Sequence, residues 1–513
     1  MASPTSAGSI RLANDYLPMT HETTHSLASS DEANEIELKL EIDPVWIDHL
    51  AAMPPLSGVT PKIVDQLSTY FDTPKQDLRA AGFTLRIRTA GGRHVQTIKA
   101  VGSAAAGLFA RPEWEHDVAG LEPELDPGSP ISAIVAHDRL RTVRPAFTVA
   151  IKRRQWLVTR DDGTVEIVAD TGCVTASDRT TPVSELEFEL KGGTPTAIFA
   201  LARNLGEQIP VRLGVLTKGE RGYRLIAAAT LGAIKAERLE LAADTTTAEA
   251  FAQIVGTCLR HFRLNENLLR RAPDAEALHQ TRVALRRLRS ALSLFKRVVV
   301  DARFPHVASE LKWLAASLGP ARDIDVLRDR LGEGSNAALT AARDDAYAAA
   351  LAALDSQRTR DLMIDLVEWT ALGAWRLQPL DPAMVQAPAA LFASAAIGGL
   401  NRRIKRRGQD LDQLDDEPRH QIRITAKKLR YATGFFESLY PLKRSRRRLK
   451  AFKKRLEALQ DHLGHLNDLA TAPALIERFG LEPETSTSSI ERETLLSHAA
   501  EAYENLTRAK RFW

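Results

Sequence analysis

The chain has 513 residues, 44% of them hydrophobic and 26% charged, with a formal net charge of +4; such a length holds about two to four domains, and the composition is that of a globular protein. The small net charge conceals two unlike halves, since residues 1–230 carry 24 Lys and Arg against 29 Asp and Glu, while residues 231–513 carry 45 against 36. The longest Ala-rich run, Ala346 to Leu354, is bounded by acids, so no membrane helix of ~18 apolar residues is expected, and two cysteines, Cys173 and Cys258, argue against a disulfide framework or a cysteine metal site.

In chain order, residues 1–33 are rich in Ser, Thr, Ala and Asn and read as a disordered tail without the charged start and apolar core of a secretory signal, so a cytoplasmic location is expected. From 34 to 225 the dominant signal is period-two alternation, as in Glu35-Ile36-Glu37-Leu38-Lys39-Leu40-Glu41 and Glu185-Leu186-Glu187-Phe188-Glu189. The polar faces of these strands are acid only (Glu185, Glu187, Glu189) or base only (Arg86, Arg88). Like charges two apart lie about 7 Å from each other and repel. A closed barrel with a charged interior would set the two kinds of face across one lumen. For any single strand, an ordinary solvated face remains an equal alternative.

Residues 226–245 are expected to form a linker helix, and Thr246-x-x-Glu249 is a capping box opening the next one. From 246 to 513 the pattern is all-helical and duplicated. His279-Gln280-Thr281-Arg282 recurs as His420-Gln421-Ile422-Arg423, Phe295 falls on Phe436, and Leu318-Gly319-x-x-Arg322-Asp323 recurs as Leu463-Gly464-x-x-Asn467-Asp468. That period fits two similar bundles of about four helices each, at about 246–385 and 386–513.

In the repeated helix, His279, Arg282, Arg286 and Arg289 fall within about 80° of one another, as do His420, Arg423, Lys427 and Arg430. A basic stripe is usually a solvated face, but no Asp or Glu occurs from Leu278 to Val300 or from Pro418 to Phe436, and a solvated helix interleaves acids at i±4. Residues 401–455 add 19 basic against 6 acidic residues. A polyanion would neutralise these charges. Few aromatic or amide side chains lie near the stripes to stack on or read bases, which favours phosphate over nucleic acid.

In the first half, Glu35 and Glu37 share a strand face, as Glu185 and Glu187 do, and such hard oxygen donors suit Mg²⁺ or Mn²⁺. Lys39, Arg86, Arg88, Lys99, Arg111, Arg153 and Lys218 offer phosphate-binding cations from the other walls. There is no Walker glycine loop, so metal-assisted attack of water on a phosphoanhydride is the chemistry suggested.

At these residues the chain resembles a known pair of domains. Glu35-x-Glu37-x-Lys39 is similar to the ExExK signature of the CYTH domain, the triphosphate tunnel metalloenzymes, supported in order by Tyr70-Phe71-Asp72-Thr73-Pro74, Arg86-x-Arg88, Thr97-Ile98-Lys99, Arg111-Pro112-Glu113, Arg153-x-x-Trp156, Ala169-Asp170 and Lys218-Gly219-Glu220-Arg221-Gly222-Tyr223. The duplicated His-Arg helices resemble the CHAD domain. The resemblance implies a two-domain α+β and all-α architecture, with an N-terminal eight-stranded antiparallel β tunnel and flanking helices followed by duplicated four-helix bundles. It implies a catalytic set of Lys39, Lys99 and Glu113, with substrate held by Arg86, Arg88, Arg111, Arg153, Lys218 and Arg221. It implies metal ligands Glu35, Glu37, Asp170, Glu185 and Glu187. It also implies hydrolysis of inorganic tripolyphosphate, polyphosphate binding by both stripes, and an association with polyphosphate granules. Two alternatives are a polyphosphate-binding protein without turnover and a tunnel enzyme acting on a nucleoside or thiamine triphosphate.

Overall fold

The computed structural model describes residues 35–100, 103–105, 107–124, 129–132, 139, 141–227, 232–331, 337–478 and 489–513; the expected tail at 1–33 lies outside them. The strands are β1 (Glu35–Glu41), β2 (Lys62–Asp72), β3 (Phe83–Ala90), β4 (Arg93–Ala100), β5 (Ser103–Ala105), β6 (Leu108–Arg111), β7 (Glu113–Val118), β8 (Arg144–Arg160), β9 (Gly163–Ala176), β10 (Arg179–Gly193) and the short β11 (Arg212–Leu213). They form one antiparallel sheet in the order β5-β6-β1-β10-β9-β8-β2-β3-β4-β7, with β11 added beside β1.

The sheet comes round on itself. β6 and β7 are two parts of one strand bent at Pro112, which has no N–H to give to a ladder. β5 follows β4 in the same way along the neighbouring strand, and the Ala100 N–H donates to the Pro112 carbonyl at 3.2 Å. Counted so, β11 aside, eight strands remain, and β6 pairs back onto β1 through Glu35 opposite Arg111.

The alternation in β1 and β10 decides which face goes where. Leu38, Leu40, Leu186 and Phe188 point outward into an apolar core with Ile198, Phe199 and Leu201 of α1 (Thr196–Gly206). The charged positions therefore face the lumen. α2 (Lys218–Ile226) follows, opened by a capping box between Thr217 and Glu220, and lies close to β8: a Cβ on Gly222 would come within 2.2 Å of the Phe147 ring.

Among the described residues of 226–245 the expected linker helix does not form. Residues 232–242 run as irregular, non-helical chain. The Ile234 N–H donates to Asn265 Oδ1 at 2.9 Å and its carbonyl accepts from Asn265 Nδ2, while the Leu241 N–H donates to Ser438 Oγ at 2.8 Å. Side chains of the helical domain thus supply partners that helical hydrogen bonds would otherwise provide, and Leu241 is buried.

The helical part comprises α3 (Thr247–Leu269), α4 (Ala275–Val299), α5 (Phe304–Ser317), α6 (Gly319–Leu331), α7 (Ala337–Asp355), α8 (Gln357–Leu372), α9 (Ala389–Arg407), α10 (Asp416–Phe435), α11 (Lys443–Arg478) and α12 (Ser489–Thr507). The capping box at Thr246 and Glu249 is present. The duplication is visible as α3–α4 against α9–α10, and the matched pair Phe295 and Phe436 meet in the shared core, ring centroids 6.1 Å apart. The copies diverge at Gly319-Pro320, where proline starts a new helix, whereas Gly464-His465 lies inside the continuous α11. α8 is an addition to the first copy; its Asp365 and Glu368 bind Arg203 of α1 at 2.7 and 2.6 Å. Among the described residues no helix is long and apolar enough to cross a membrane.

Candidate functional site

The barrel encloses a cavity of about 560 Å³. Register explains its acidic wall. On β1 and β10, Glu37 stands opposite Glu189, Lys39 opposite Glu187 and Glu41 opposite Glu185; on β10 and β9, Glu185 stands opposite Asp170, which in turn faces Arg153 on β8. Glu37, Lys39, Arg153, Glu187, Glu189 and Lys218 line the cavity, and Asp170 and Glu185 lie fully buried behind them.

This wall carries its own cations. Lys39 Nζ lies 3.2 Å from Glu37 and 3.0 Å from Glu185 and also binds Glu187. Lys218 Nζ reaches Asp170, Glu185 and Glu187 at 2.7, 2.6 and 2.8 Å. Arg153 donates to Asp170 at 2.8 Å and to Glu187 at 3.1 Å. Burial alone would lower the Lys39 and Lys218 pKa values, but the carboxylates, Glu185 first for Lys39 and Asp170 first for Lys218, outweigh it and hold both ammonium groups above their ordinary value. Burial would likewise raise the Glu187 carboxyl, yet Lys218, Lys39 and Arg153 keep it well below the usual range.

The opposite wall is built on β3, β4 and β7. Arg86 stands across from Thr97, which stands across from Glu115; Thr84, Lys99 and Glu113 form the next row. Lys99 binds Glu113 at 2.6 Å with Arg86 4.0 Å from the same carboxylate, and Arg88 binds Glu115 at 3.2 Å. Arg86 Nε is buried without a hydrogen-bond acceptor. Sequence reasoning gave no role to Glu115 or Tyr70, which both line the cavity; the Glu113-x-Glu115 alternation was the available signal for the first.

One expected residue is placed differently. Arg221 does not line this cavity: it turns to Glu41 at 3.1 Å and lies 3.7 Å from Glu185 at the back of the acidic wall. Three positions after Lys218 on α2, it lies only about 60° round the helix; its ion pair with Glu41, and not its helical position, takes the guanidinium to the back of the wall. Glu35 and Arg111 pair through their backbones, but their side chains lie outside the described residues.

The donor chemistry fits a hard divalent cation. Oxygens of Asp170, Glu185 and Glu187 lie within 4.8 Å of one another, all of the type that Mg²⁺ and Mn²⁺ take, and Glu185 Oε2 is buried without a hydrogen-bond donor. The same three carboxylates are bridged by Lys218, so an ion among them would compete with that ammonium group.

In the helical half the two stripes come together where α4 packs on α10. His279, Arg282 and Arg286 are half-buried and Arg289 exposed, and His420, Arg423, Lys427 and Arg430 repeat that pattern. Burial and then neighbouring cations, Arg423 and Arg286 foremost, push Lys427 down to about 8. Burial with Arg322 and Arg286 lowers His279. The Nε atoms of Arg282, Arg286, Arg287 and Arg423 are buried and meet no acceptor. The nearest acids come from the second repeated motif: Asp468 lies 3.9 Å from Arg423, and Asp323 acts on Arg282. His420 meets Asn467 at 2.8 Å. Part of the basic excess at 401–455 has a plainer use, since Lys405, Arg448 and Arg455 donate to the carbonyls of Thr507, Arg511 and Asn505 at and beyond the end of α12.

Residues 33–223 match the CYTH domain family and residues 253–477 the CHAD domain family. The helical part is 32% identical to the CHAD domain from the plant Ricinus communis, whose structure it covers to 98%, with 55% of this chain aligned and a TM-score of 0.45. The chain is a CYTH domain followed by a CHAD domain. The CYTH part is 29% identical over 194 residues to an inorganic triphosphatase from Haemophilus influenzae, covering 37% of this chain and 54% of that protein; the chain thus spans about half the length of this curated relative. It also aligns, at 18% identity and a TM-score of 0.29, with a Hippeastrum protein described as a putative adenylyl cyclase with a dominant triphosphatase activity, over 37% of this chain and 96% of that one.

The two domains share a polar seam. Arg263 of CHAD helix α3 is 1% exposed; it donates to the Leu213 carbonyl at 2.8 Å and to Glu41 at 3.1 Å, and pairs with Glu266. Burial would raise the Glu41 carboxyl, but Arg263 and Arg221 hold it below the usual range. A contact chain therefore runs from Arg263 through Glu41 and Arg221 to Glu185 of the acidic wall.

Proposed function

We propose that the CYTH cavity hydrolyses inorganic tripolyphosphate to pyrophosphate and phosphate with the help of Mg²⁺ or Mn²⁺, and that the CHAD stripes bind long-chain polyphosphate. The observation that carries the first part is one cavity in which Arg86, Arg88 and Lys99 face Lys39, Arg153 and Lys218, with a buried Arg86 Nε still lacking an acceptor. Phosphoryl oxygens are suitable acceptors for these donors. Tyr70 is the one aromatic lining residue among those described, and it stacks on Phe147 at 4.6 Å, which leaves little to hold a base. The similarity to an inorganic triphosphatase points the same way.

Arg86, Arg88 and Lys99 would grip the anion, with Glu113 orienting Lys99. Lys39 and Lys218 would stabilise negative charge from the other side. Glu37, Asp170, Glu185 and Glu187 would hold the divalent ion, with Glu35 beside them on the strand. When bound, that ion would supply charge neutralisation and polarise phosphoryl oxygens. In the CHAD domain, the four orphaned arginine Nε donors where α4 meets α10 support binding of an extended phosphate chain, and through such binding an association with polyphosphate granules.

The test is phosphate release from tripolyphosphate with Mg²⁺, Mn²⁺ or a chelator, beside ATP and thiamine triphosphate. Metal-dependent release that Lys99→Met abolishes is expected. Binding of tripolyphosphate without release would make the tunnel a polyphosphate-binding module, and preference for ATP or thiamine triphosphate would move the substrate class. Replacing His279, Arg282, Arg286 and Arg289 with Ala should weaken polyphosphate binding, with RNA as competitor at fixed salt.

A further inference from the structure

A second polar cavity, of about 300 Å³, lies in the seam between the domains. Arg212 and Arg221 line it from the CYTH side and Asn267, Arg270 and Arg271 from the end of α3, with Glu41 in its wall. Arg212 on β11 stands directly opposite Glu41 on β1, so the sheet itself sets this pair at the edge that α3 covers.

The acids around this cavity are already committed. Glu41 accepts from Arg221, Arg263 and Asn267, each at 3.1 Å. A single oxygen of Asp355 accepts from both Arg212 and Arg270, at 2.7 and 2.8 Å. Asp43, also in the wall, accepts from the Val45 N–H at 3.1 Å to cap a short turn. Donors remain unanswered: the Nε atoms of Arg212 and Arg221 are buried and meet no acceptor. Burial and the adjacent Arg270 push the Arg212 pKa down, as expected where guanidinium groups crowd around too few acids. Arginines that serve only to fasten two domains would find acceptors for their buried N–H groups.

We propose that this seam cavity is an oxyanion site that takes orthophosphate or pyrophosphate between the two domains, held by Arg212, Arg221 and Arg270. Planar forks from both domains match tetrahedral phosphate oxygens, and the volume suits one or two phosphoryl groups, unlike the extended stripes on α4 and α10. Because Arg221 also lies 3.7 Å from Glu185, occupancy would be felt at the back of the tunnel wall. The site goes beyond the hydrolysis proposed above and stands whether or not tripolyphosphate turns over.

The experiment is a calorimetric titration of the full chain with inorganic phosphate, and separately pyrophosphate, in the wild type, Arg270→Ser, Arg212→Gln and the tunnel variant Lys99→Met. Affinity at the seam is expected to fall about tenfold in Arg270→Ser and Arg212→Gln, the loss of one charge-assisted contact, and to stay within about twofold in Lys99→Met. Hydrogen exchange in the wild type should show added phosphate protecting residues 41–43 and 267–271, a readout that needs no variant. Absence of phosphate binding up to tens of millimolar, loss of all binding in Lys99→Met, or unchanged affinity in a folded Arg270→Ser would each overturn the site.

Discussion

The two domains both gather cations, but the acidic wall of one and the stripes of the other hold them in opposite ways. In the CYTH tunnel Lys39, Lys218 and Arg153 are embedded among carboxylates that raise their pKa values. On the CHAD stripes Lys427, Arg282 and Arg423 are depressed, by burial first, with Arg286 adding to the depression of all three, while Asp323 and Asp468 only partly offset it at the two arginines. The acidic wall of the tunnel is therefore electrostatically settled by its own groups, whereas Arg88 on the opposite wall is depressed by burial and then by Arg86. The stripes are unsettled, so an anion would bring them a gain that the protein itself does not supply.

The strongest way to break this contrast is Lys218→Met. It removes the ammonium that bridges Asp170, Glu185 and Glu187, leaving buried carboxylates short of a partner at a cost of about 3–5 kcal/mol. Chemical denaturation should show that loss, and tripolyphosphate turnover should fall by about 100-fold or more. Neutral stability would mean that the wall is not held together by its lysines. A smaller loss, ~3 kcal/mol, is expected for Arg263→Met, which strands the buried Glu266 and takes one of the three donors from Glu41. If the seam joins the domains into one unit, the denaturation curve should also separate into two transitions; a single unshifted transition would remove Arg263 from that role.

Gly222→Ala sharpens the tunnel side alone. The added Cβ would meet the Phe147 ring at 2.2 Å, so α2 must move off β8, at about 1–3 kcal/mol. Lys218 rides on the same helix, and a displaced helix should raise KM for tripolyphosphate more than a stability loss by itself would.

Much of this was legible because period and sign of charge are local. Alternation placed Glu37, Lys39, Glu185 and Glu187 on one face, and the repeat at 141 residues placed both stripes. What stayed hidden depends on partners distant in sequence. Glu41 belongs to the same alternating strand as Glu37, but its role rests on Arg263, 222 residues later. Arg221 lies about 60° round α2 from Lys218, close to the same face, yet turns to the seam because Glu41, distant in sequence, binds it there. The stripes looked free of acids along their own helices, and tertiary packing brings Asp323 and Asp468 to them from α6 and α11. The linker composition favoured a helix, yet Asn265 and Ser438 captured its backbone.

The finest test of the contrast is the proton balance of Lys427. Its folded pKa of about 8 lies below the ~10.4 of an unfolded lysine. Below pH 8 the group is charged in both states and its crowding by Arg423, Arg286 and Arg430 is fully felt; as pH rises from 8 toward 10.4 the folded state sheds that charge first, so its contribution to stability improves. A bound polyanion would reverse the depression and return the proton. Polyphosphate binding between pH 8 and 9 should therefore take up a fraction of a proton, read as a difference in heat between buffers of unlike ionisation enthalpy, and affinity should weaken as pH climbs through this window. His279, whose pKa is lowered from 6.5, is neutral there and does not contribute. Lys427→Gln should abolish the uptake while leaving most of the affinity with the arginines; uptake that persists in that variant would mean the stripe's depressed lysine is not where the polyanion binds.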